Sequence, residues 1–318
     1  MGEAGHRPIR DTLRAVLGPR HTWGLGPGAK RLSADLPARM RDALARASEA
    51  ARHHEAQPVF VLSAGWRSGS TLLQRMIMEH NADVLLWGEP YSHANIHDGL
   101  LNQFRAFTDR WPLESFFVSS LNLKNPSDTW VANLYPDVDQ LLKAHRSFYE
   151  ALFAEPAREA GRANWGLKEV RLGIDHATYL RALFPKCRII LLYRNPRRAY
   201  QSFREWNSAV ARRWPDFIAT PYAFGRSWAE LTRGYLEGHQ RVQGLLIRYE
   251  DLDDPDQVDR LQAYLGWPVP RSSEMRRILE PGTDPQTRRM PRRRLPAADR
   301  VLLDLATRHV LRDAGYGN

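Results

Sequence analysis

The sequence predicts an α/β protein: a central parallel sheet flanked by helices, with an N-terminal helical extension. Three observations lead there. Short β-branched or Leu-rich runs (VFVLSA from Val59, CRIILLYR from Cys187, GLLIRYEDL from Gly244) read as buried strands. Longer amphipathic stretches lie between them, the alternation of a parallel sheet covered by its crossovers. The first run also passes directly into a glycine-rich turn and a helix, SAGWRSGSTLLQRMI over Ser63–Ile77.

Taken in order, residues 1–56 read as the extension and 57–318 as the main domain. In the extension a Gly/Pro-rich turn, WGLGPGAK, precedes the helical pattern DLPARMRDALARASEAARHHEA. After the first strand, GSTLLQRMIMEHN is a helix with Leu72, Leu73, Met76 and Ile77 on one face. ADVLLWGEP is a second short strand. YLRALF and RRAYQSFREWNSAVARRW are helices on either side of the CRIILLYR strand, and DQVDRLQAYLG follows the last strand. Between Tyr91 and Ala163 the rhythm breaks into loops and helices rich in aromatics, among them Phe104, Phe107, Trp111, Phe116, Phe117, Trp130 and Tyr135. Two readings stay open for this stretch, a helical subdomain with its own small core and a pocket for an acceptor molecule.

The net charge is +10 over 318 residues, which points to an anionic partner. The arginines are scattered among acids, and no helix-turn-helix, RNP or zinc-finger pattern appears, so nucleic acid is not the expected partner. No run reaches the roughly 18 apolar residues that span a bilayer. The N-terminus has no apolar signal region, and Cys187 is the single cysteine, read as inert core packing. These last features lead one to expect a cytoplasmic protein, and a metal-independent one is expected because no His/Cys/Asp cluster has metal-ligand spacing. Oligomeric state is not legible.

The loop after the first strand is the sharpest signal. Strand, glycine-rich turn and helix together build an anion site from backbone N–H groups and the positive helix end. Gly65 and Gly69 permit close approach, Ser68, Ser70 and Thr71 add hydroxyls, and Arg67 adds a charged donor. A nucleoside-triphosphate loop would read GxxxxGK[ST]. Here the glycines are one residue closer and Ser70 stands where the lysine belongs, so the loop is P-loop-like without being a kinase loop. A P-loop kinase or nucleotide hydrolase, and more remotely a basic nucleic-acid-binding protein, are the alternative readings.

RSGST after a strand resembles the 5′-phosphosulfate loop of sulfotransferases that use 3′-phosphoadenosine 5′-phosphosulfate (PAPS). Three further segments resemble that family in its order: YRNPRRAYQS, LLIRYEDLDDP with YLGWP, and the C-terminal LRDAGYGN. The resemblance implies sulfuryl transfer from PAPS to an acceptor hydroxyl, giving 3′-phosphoadenosine 5′-phosphate (PAP). It implies that Arg67, Ser68, Gly69, Ser70 and Thr71 hold the 5′ end, and that Arg194 and Ser202 hold the 3′-phosphate. Tyr249 is a further nucleotide contact or else core packing, and Arg197 and Arg198 read as solvated helix residues. TRRMPRRRLP is either a basic lid or a solvated run. Lys168, in WGLKEVR, resembles the family's catalytic lysine.

Cytosolic sulfotransferases carry a histidine two positions past that lysine; here the position is Val170. Protein-tyrosine sulfotransferases use a glutamate in a Gly-Glu pair, and LLWGEP supplies one, which makes Glu89 the expected base and His93 the alternative. The catalytic set is then Glu89, Lys168 and Arg67. A small, partly hydrophobic or aromatic acceptor is expected from the Tyr91–Tyr135 stretch.

Overall fold

A computed structural model describes residues 36–89, 96–118, 127, 131–205, 218, 220–278 and 294–317. The chain opens with α1 (Leu36–Arg46) and α2 (Glu49–Arg52). It continues through β1 (Val59–Ser63), α3 (Ser70–Glu79), β2 (Val84–Trp87) and α4 (Ile96–Phe104). Next come α5 (Val138–Tyr149), a π-helical turn over Glu150–Ala154, α6 (Glu155–Glu159), β3 (Asn164–Glu169), α7 (Ile174–Leu183) and β4 (Arg188–Tyr193). The last elements are α8 (Pro196–Glu205), α9 (Pro221–Gly238), β5 (Leu245–Arg248), α10 (Pro255–Leu265), α11 (Ser272–Ile278) and α12 (Ala297–Leu311).

The sheet has five strands in the order β2-β3-β1-β4-β5, and every pairing is parallel. β1 lies at the centre with all five residues buried, as its unbroken apolar run predicts. Its side chains alternate between two cores. Val59 and Val61 join Leu73, Met76 and Ile77 of α3 on one face, and Leu72 is only partly buried at the margin of that group. Phe60 and Leu62 join the larger core on the other face.

β3 is the strand that hydrophobic patterning does not announce: the segment around WGLKEVR, read above only for Lys168, is a full strand paired between β2 and β1. Its closing Lys168 and Glu169 blur the hydrophobic signal, although they are only 5% and 1% exposed.

Leu36, Met40 and Ala43 of α1 are buried in the same core as Phe60 and Leu62, so this part of the extension packs beneath the sheet. Buried side chains among the described residues of the aromatic-rich stretch join that core as well. Leu101, Phe104, Phe107, Phe117, Leu142, Tyr149 and Phe153 all belong to that larger core. Burying these side chains against the sheet removes more apolar surface from water than a small satellite cluster would. Trp111 and Tyr135 remain partly exposed, and Trp130 lies outside the described residues. No helix among the described residues is long and apolar enough to cross a membrane.

Candidate active site

The loop between β1 and α3 turns on three residues of positive φ: Gly65 (81°), Arg67 (63°) and Gly69 (94°). A left-handed arginine is uncommon and costs of order 1–3 kcal/mol, which the packing around it must offset. Trp66 supplies part of that packing, stacked on Phe203 of α8 with ring centroids 5.5 Å apart. The Ser68 hydroxyl supplies more, donating inward to the carbonyls of Ala64 and Gly65 at 2.8 Å each. Ser68 therefore offers a ligand its backbone, with its hydroxyl spent on the turn. Gly69 caps α3 with no side-chain hydrogen bond, which leaves the helix start to its own N–H groups. Ser70 is buried and Thr71 is exposed at that start.

The segment after β4 reaches the same loop. Nη1 of Arg194 donates to the Arg67 carbonyl at 3.0 Å, and Nε of Arg67 donates to the Ser202 hydroxyl at 3.0 Å. Two segments 127 and 135 residues apart in sequence are thereby tied into one cradle. Tyr249 opens a 3-10 turn just past β5, one residue beyond the strand to which the sequence reading assigned it. Its ring lies 4.2 Å beneath the Arg194 guanidinium, a cation–π contact. The same ring touches the Gly69 backbone so closely that a Cβ at position 69 would come within 2.1 Å of it. Arg194, Tyr249 and Gly69 thus form a stack across the ends of β4 and β5 and the start of α3. Arg197 and Arg198 are exposed, as expected, and Arg197 pairs with Asp304 at 2.7 Å.

On the other side of β1, the ends of β2 and β3 bring Glu89 and Lys168 together. Nζ of Lys168 lies 2.5 Å from Oε1 of Glu89, with the two side chains 7% and 19% exposed. The strand leading to Glu89 is braced at two points. The Trp87 indole donates to the Phe153 carbonyl in the π-helical turn at 3.0 Å, and Gln74 Nε2 donates to the Leu86 carbonyl at 2.6 Å. Val170 is buried with Trp66, Ala199 and Phe203, so the position where cytosolic sulfotransferases carry a histidine is apolar packing here. His93 and the basic run up to Arg293 lie outside the described residues.

Beneath Lys168 sits a group the sequence reading did not single out. Glu169 is 1% exposed and reaches Arg171 at 3.4 Å. Burial pushes its carboxyl up to about 7, against the pull of Arg171 and with a further push from Glu89. Nearby, His97 on α4 bonds the Tyr149 hydroxyl at 2.7 Å, and burial lowers its pKa to about 3. Cys187 is inert: burial pushes its thiol up to about 12.

A model of the sulfotransferase family matches residues 58–271, more than half of the chain. The chain belongs to the sulfotransferase family. Solved structures similar to this sulfotransferase-family chain include the sulfotransferase domain from the curacin biosynthetic pathway, at 18% identity and TM-score 0.44, covering 83% of this chain and 99% of that one. STF9 from Mycobacterium avium is similar at 15% identity and TM-score 0.40, covering 92% and 87%. Mouse SULT7A1, solved with PAP, is similar at 15% identity and TM-score 0.37, covering 86% and 85%. No curated protein matches the chain in sequence.

Proposed function

We propose that this protein transfers the sulfuryl group of PAPS to the hydroxyl of a small, partly hydrophobic or aromatic acceptor and releases PAP. One observation carries the reading: the anion loop and the Arg194–Ser202 segment interlock through Arg67. A nucleotide with phosphates at both the 5′ and 3′ positions of one ribose needs two anion-binding segments side by side, and a triphosphate needs only one. Arg194, held between the Arg67 carbonyl and the Tyr249 ring, is oriented before any ligand arrives. That preorganisation lowers the entropic cost of gripping a phosphate monoester.

The reaction needs little covalent chemistry from the protein. The acceptor oxygen attacks sulfur in line, the bond from sulfur to the 5′-phosphate oxygen breaks, and the acceptor's proton leaves to a base. Glu89 is the base in this reading. Lys168 places its ammonium on the departing oxygen, and Arg67 with the start of α3 holds the 5′-phosphate. The Glu89–Lys168 ion pair, 2.5 Å long, keeps these two groups adjacent. In the reaction the pair would open, Lys168 turning to the leaving oxygen while Glu89 accepts the acceptor's proton. Work in the cytoplasm suits a chain whose single cysteine is a buried thiol.

The test is incubation with labelled PAPS and a panel of phenols, alcohols and lipids, with mass spectrometry for products heavier by one sulfonate. Sulfonated product that needs PAPS and persists in chelator is the expected result. Phosphorylated product from ATP and Mg²⁺ would replace this reading with the kinase alternative.

A further inference from the structure

The C-terminal Gly315-Tyr316 pair has no part in the chemistry above, yet it is wired to the residue after Arg194. The parallel pairing of β4 with β5 sets Tyr193 opposite Arg248, so the residues that follow each strand also lie side by side. On one side come Arg194 and Asn195; on the other, the 3-10 turn Tyr249–Asp251. That single turn sends Tyr249 beneath the Arg194 guanidinium and Glu250 to the backbone beyond it. One carboxylate oxygen of Glu250 accepts from the Asn195 N–H at 3.2 Å. The other accepts from the Tyr316 hydroxyl at 2.6 Å.

Asn195 is a junction. Its side-chain oxygen accepts from the N–H groups of Arg197 and Arg198 at 3.0 and 3.2 Å and so starts α8, the helix that carries Ser202. On the near side, the Trp228 indole donates to the Arg194 carbonyl at 2.8 Å, and the same indole lies 6.5 Å from the Tyr316 ring. Tyr316 also meets Tyr193 edge-on at 6.0 Å. The backbone carrying Arg194 is therefore held on both flanks, and Tyr316 touches both holders.

Tyr316 arrives there by a tight turn after α12. Gly315 has φ +75°, and the Tyr316 N–H donates back to Leu311 at 2.8 Å. A Cβ on Gly315 would lie 2.9 Å from Nη1 of Arg248, itself locked onto Asp251 by bonds of 2.7 and 2.9 Å. The left-handed turn and the crowding against Arg248 both call for glycine before the tyrosine.

We propose that Tyr316 and Glu250 are positioning residues for the donor's 3′-phosphate, fixing Arg194 and Ser202 through Asn195. The inference rests on the PAPS reading, which assigns the 3′-phosphate to Arg194 and Ser202. Neither positioning residue need touch the nucleotide. Their effect falls on the part of binding that distinguishes PAP from adenosine 5′-phosphate, since only the former carries the 3′ group.

The test is calorimetric binding of PAP and of adenosine 5′-phosphate to the full chain, wild type beside Tyr316→Phe, Glu250→Gln and Arg194→Ala. Tyr316→Phe keeps the ring and removes one hydrogen bond. It should weaken PAP by about 5–20-fold, less than the full worth of one hydrogen bond to a charged group because the bond acts through Asn195, and leave adenosine 5′-phosphate within about twofold. Glu250→Gln should do the same, because its amide nitrogen cannot accept. Tyr264→Phe, which loses a hydroxyl bonded to Ile189 at the opposite end of β4, controls for general loosening and should keep the wild-type ratio. If Arg194→Ala abolishes the PAP preference while Tyr316→Phe and Glu250→Gln retain it, the positioning role is overturned and the donor reading stands. If wild type itself shows no preference, the 3′-phosphate assignment falls, and the positioning role with it.

Discussion

Lys168 and Glu89 reach each other from the ends of neighbouring parallel strands, ammonium to carboxylate at 2.5 Å, in a setting where both side chains are mostly shielded from water. Such a pair has two costs to balance. Each charge was taken out of water, and the contact offsets this only while both partners are present. A residue kept for catalysis can carry that burden, whereas a surface ion pair would contribute little to stability.

The first prediction separates the two partners' roles. Lys168→Ala should lower turnover by about 10²–10³-fold with PAP affinity nearly unchanged, because it acts on charge that develops as the bond breaks. Glu89→Gln should lower turnover by about 10²–10⁴-fold, since the amide keeps the shape but cannot take a proton. Steady-state kinetics beside PAP calorimetry reads both. Normal turnover in either variant removes that residue from the catalytic set.

Stability should respond differently. Lys168→Met leaves the Glu89 carboxylate without its partner and Glu89→Gln leaves an ammonium, so each alone should destabilise the fold by about 1–3 kcal/mol. The double variant should recover much of that loss. Chemical denaturation of the four proteins completes the cycle, and strict additivity would mean that the pair is not coupled.

Ligand-induced stabilisation tests the cradle. PAP should raise the melting temperature by mass action, and ATP, lacking a 3′-phosphate, should raise it much less. Arg194→Ala should lose most of the PAP effect, about 2–4 kcal/mol for a charged phosphate contact. Equal shifts from ATP and PAP would remove the 3′-phosphate from the site.

The parts legible in the sequence were those with local signatures. β1 before Ser63 and β4 after Arg188 are apolar and buried, whereas β5 is shorter than the run GLLIRYEDL suggests and, as an edge strand, buries only Ile247; the loop announces itself by two glycines around Arg67 within five residues. β3 was obscured because its carboxyl end buries two charged residues, Lys168 and Glu169, a placement that hydrophobic periodicity argues against. The contacts of Trp66, Glu250 and Tyr316 could not be read from the sequence, although Tyr316 lies in LRDAGYGN, because they exist only as tertiary pairs, Trp66 with Phe203 and Glu250 with Tyr316 across 66 residues. Glu89 was singled out only through the resemblance of its Gly-Glu pair to that of protein-tyrosine sulfotransferases, and its contact with Lys168 spans 79 residues and has no local trace.

Gly69 offers a steric prediction. Ala at this position would hold an L side chain at φ 94° and drive a Cβ to 2.1 Å from the Tyr249 ring. Tyr249 would have to leave its place beneath Arg194. Gly69→Ala should therefore cost about 1–3 kcal/mol of stability and weaken PAP together with it. Thermal unfolding and PAP titration of the variant would show both losses; unchanged PAP affinity would mean the Tyr249–Arg194 stack does not shape the site.

The last prediction concerns pH and Glu169. Its carboxyl ordinarily titrates near 4.5 and is pushed up to about 7 by burial in the fold. The folded chain therefore keeps a proton on Glu169 between those values, while the unfolded chain has already released it. The stability this contributes is fully present below about 4.5 and is lost as pH rises through about 7. Glu169→Gln imitates the protonated acid at every pH and should not show that loss. Relative to the variant, the wild type should lose about 1–3 kcal/mol between pH 5 and pH 8. His97 and His145, lowered by burial to about 3 and about 4, act in the opposite sense below their ordinary 6.5, where stability falls as pH falls. Their contribution is common to both proteins and cancels in the difference. Urea unfolding of the pair across this range isolates Glu169, and stability curves that run parallel would show that the buried carboxylate is already ionised in the fold, held by Arg171 at 3.4 Å.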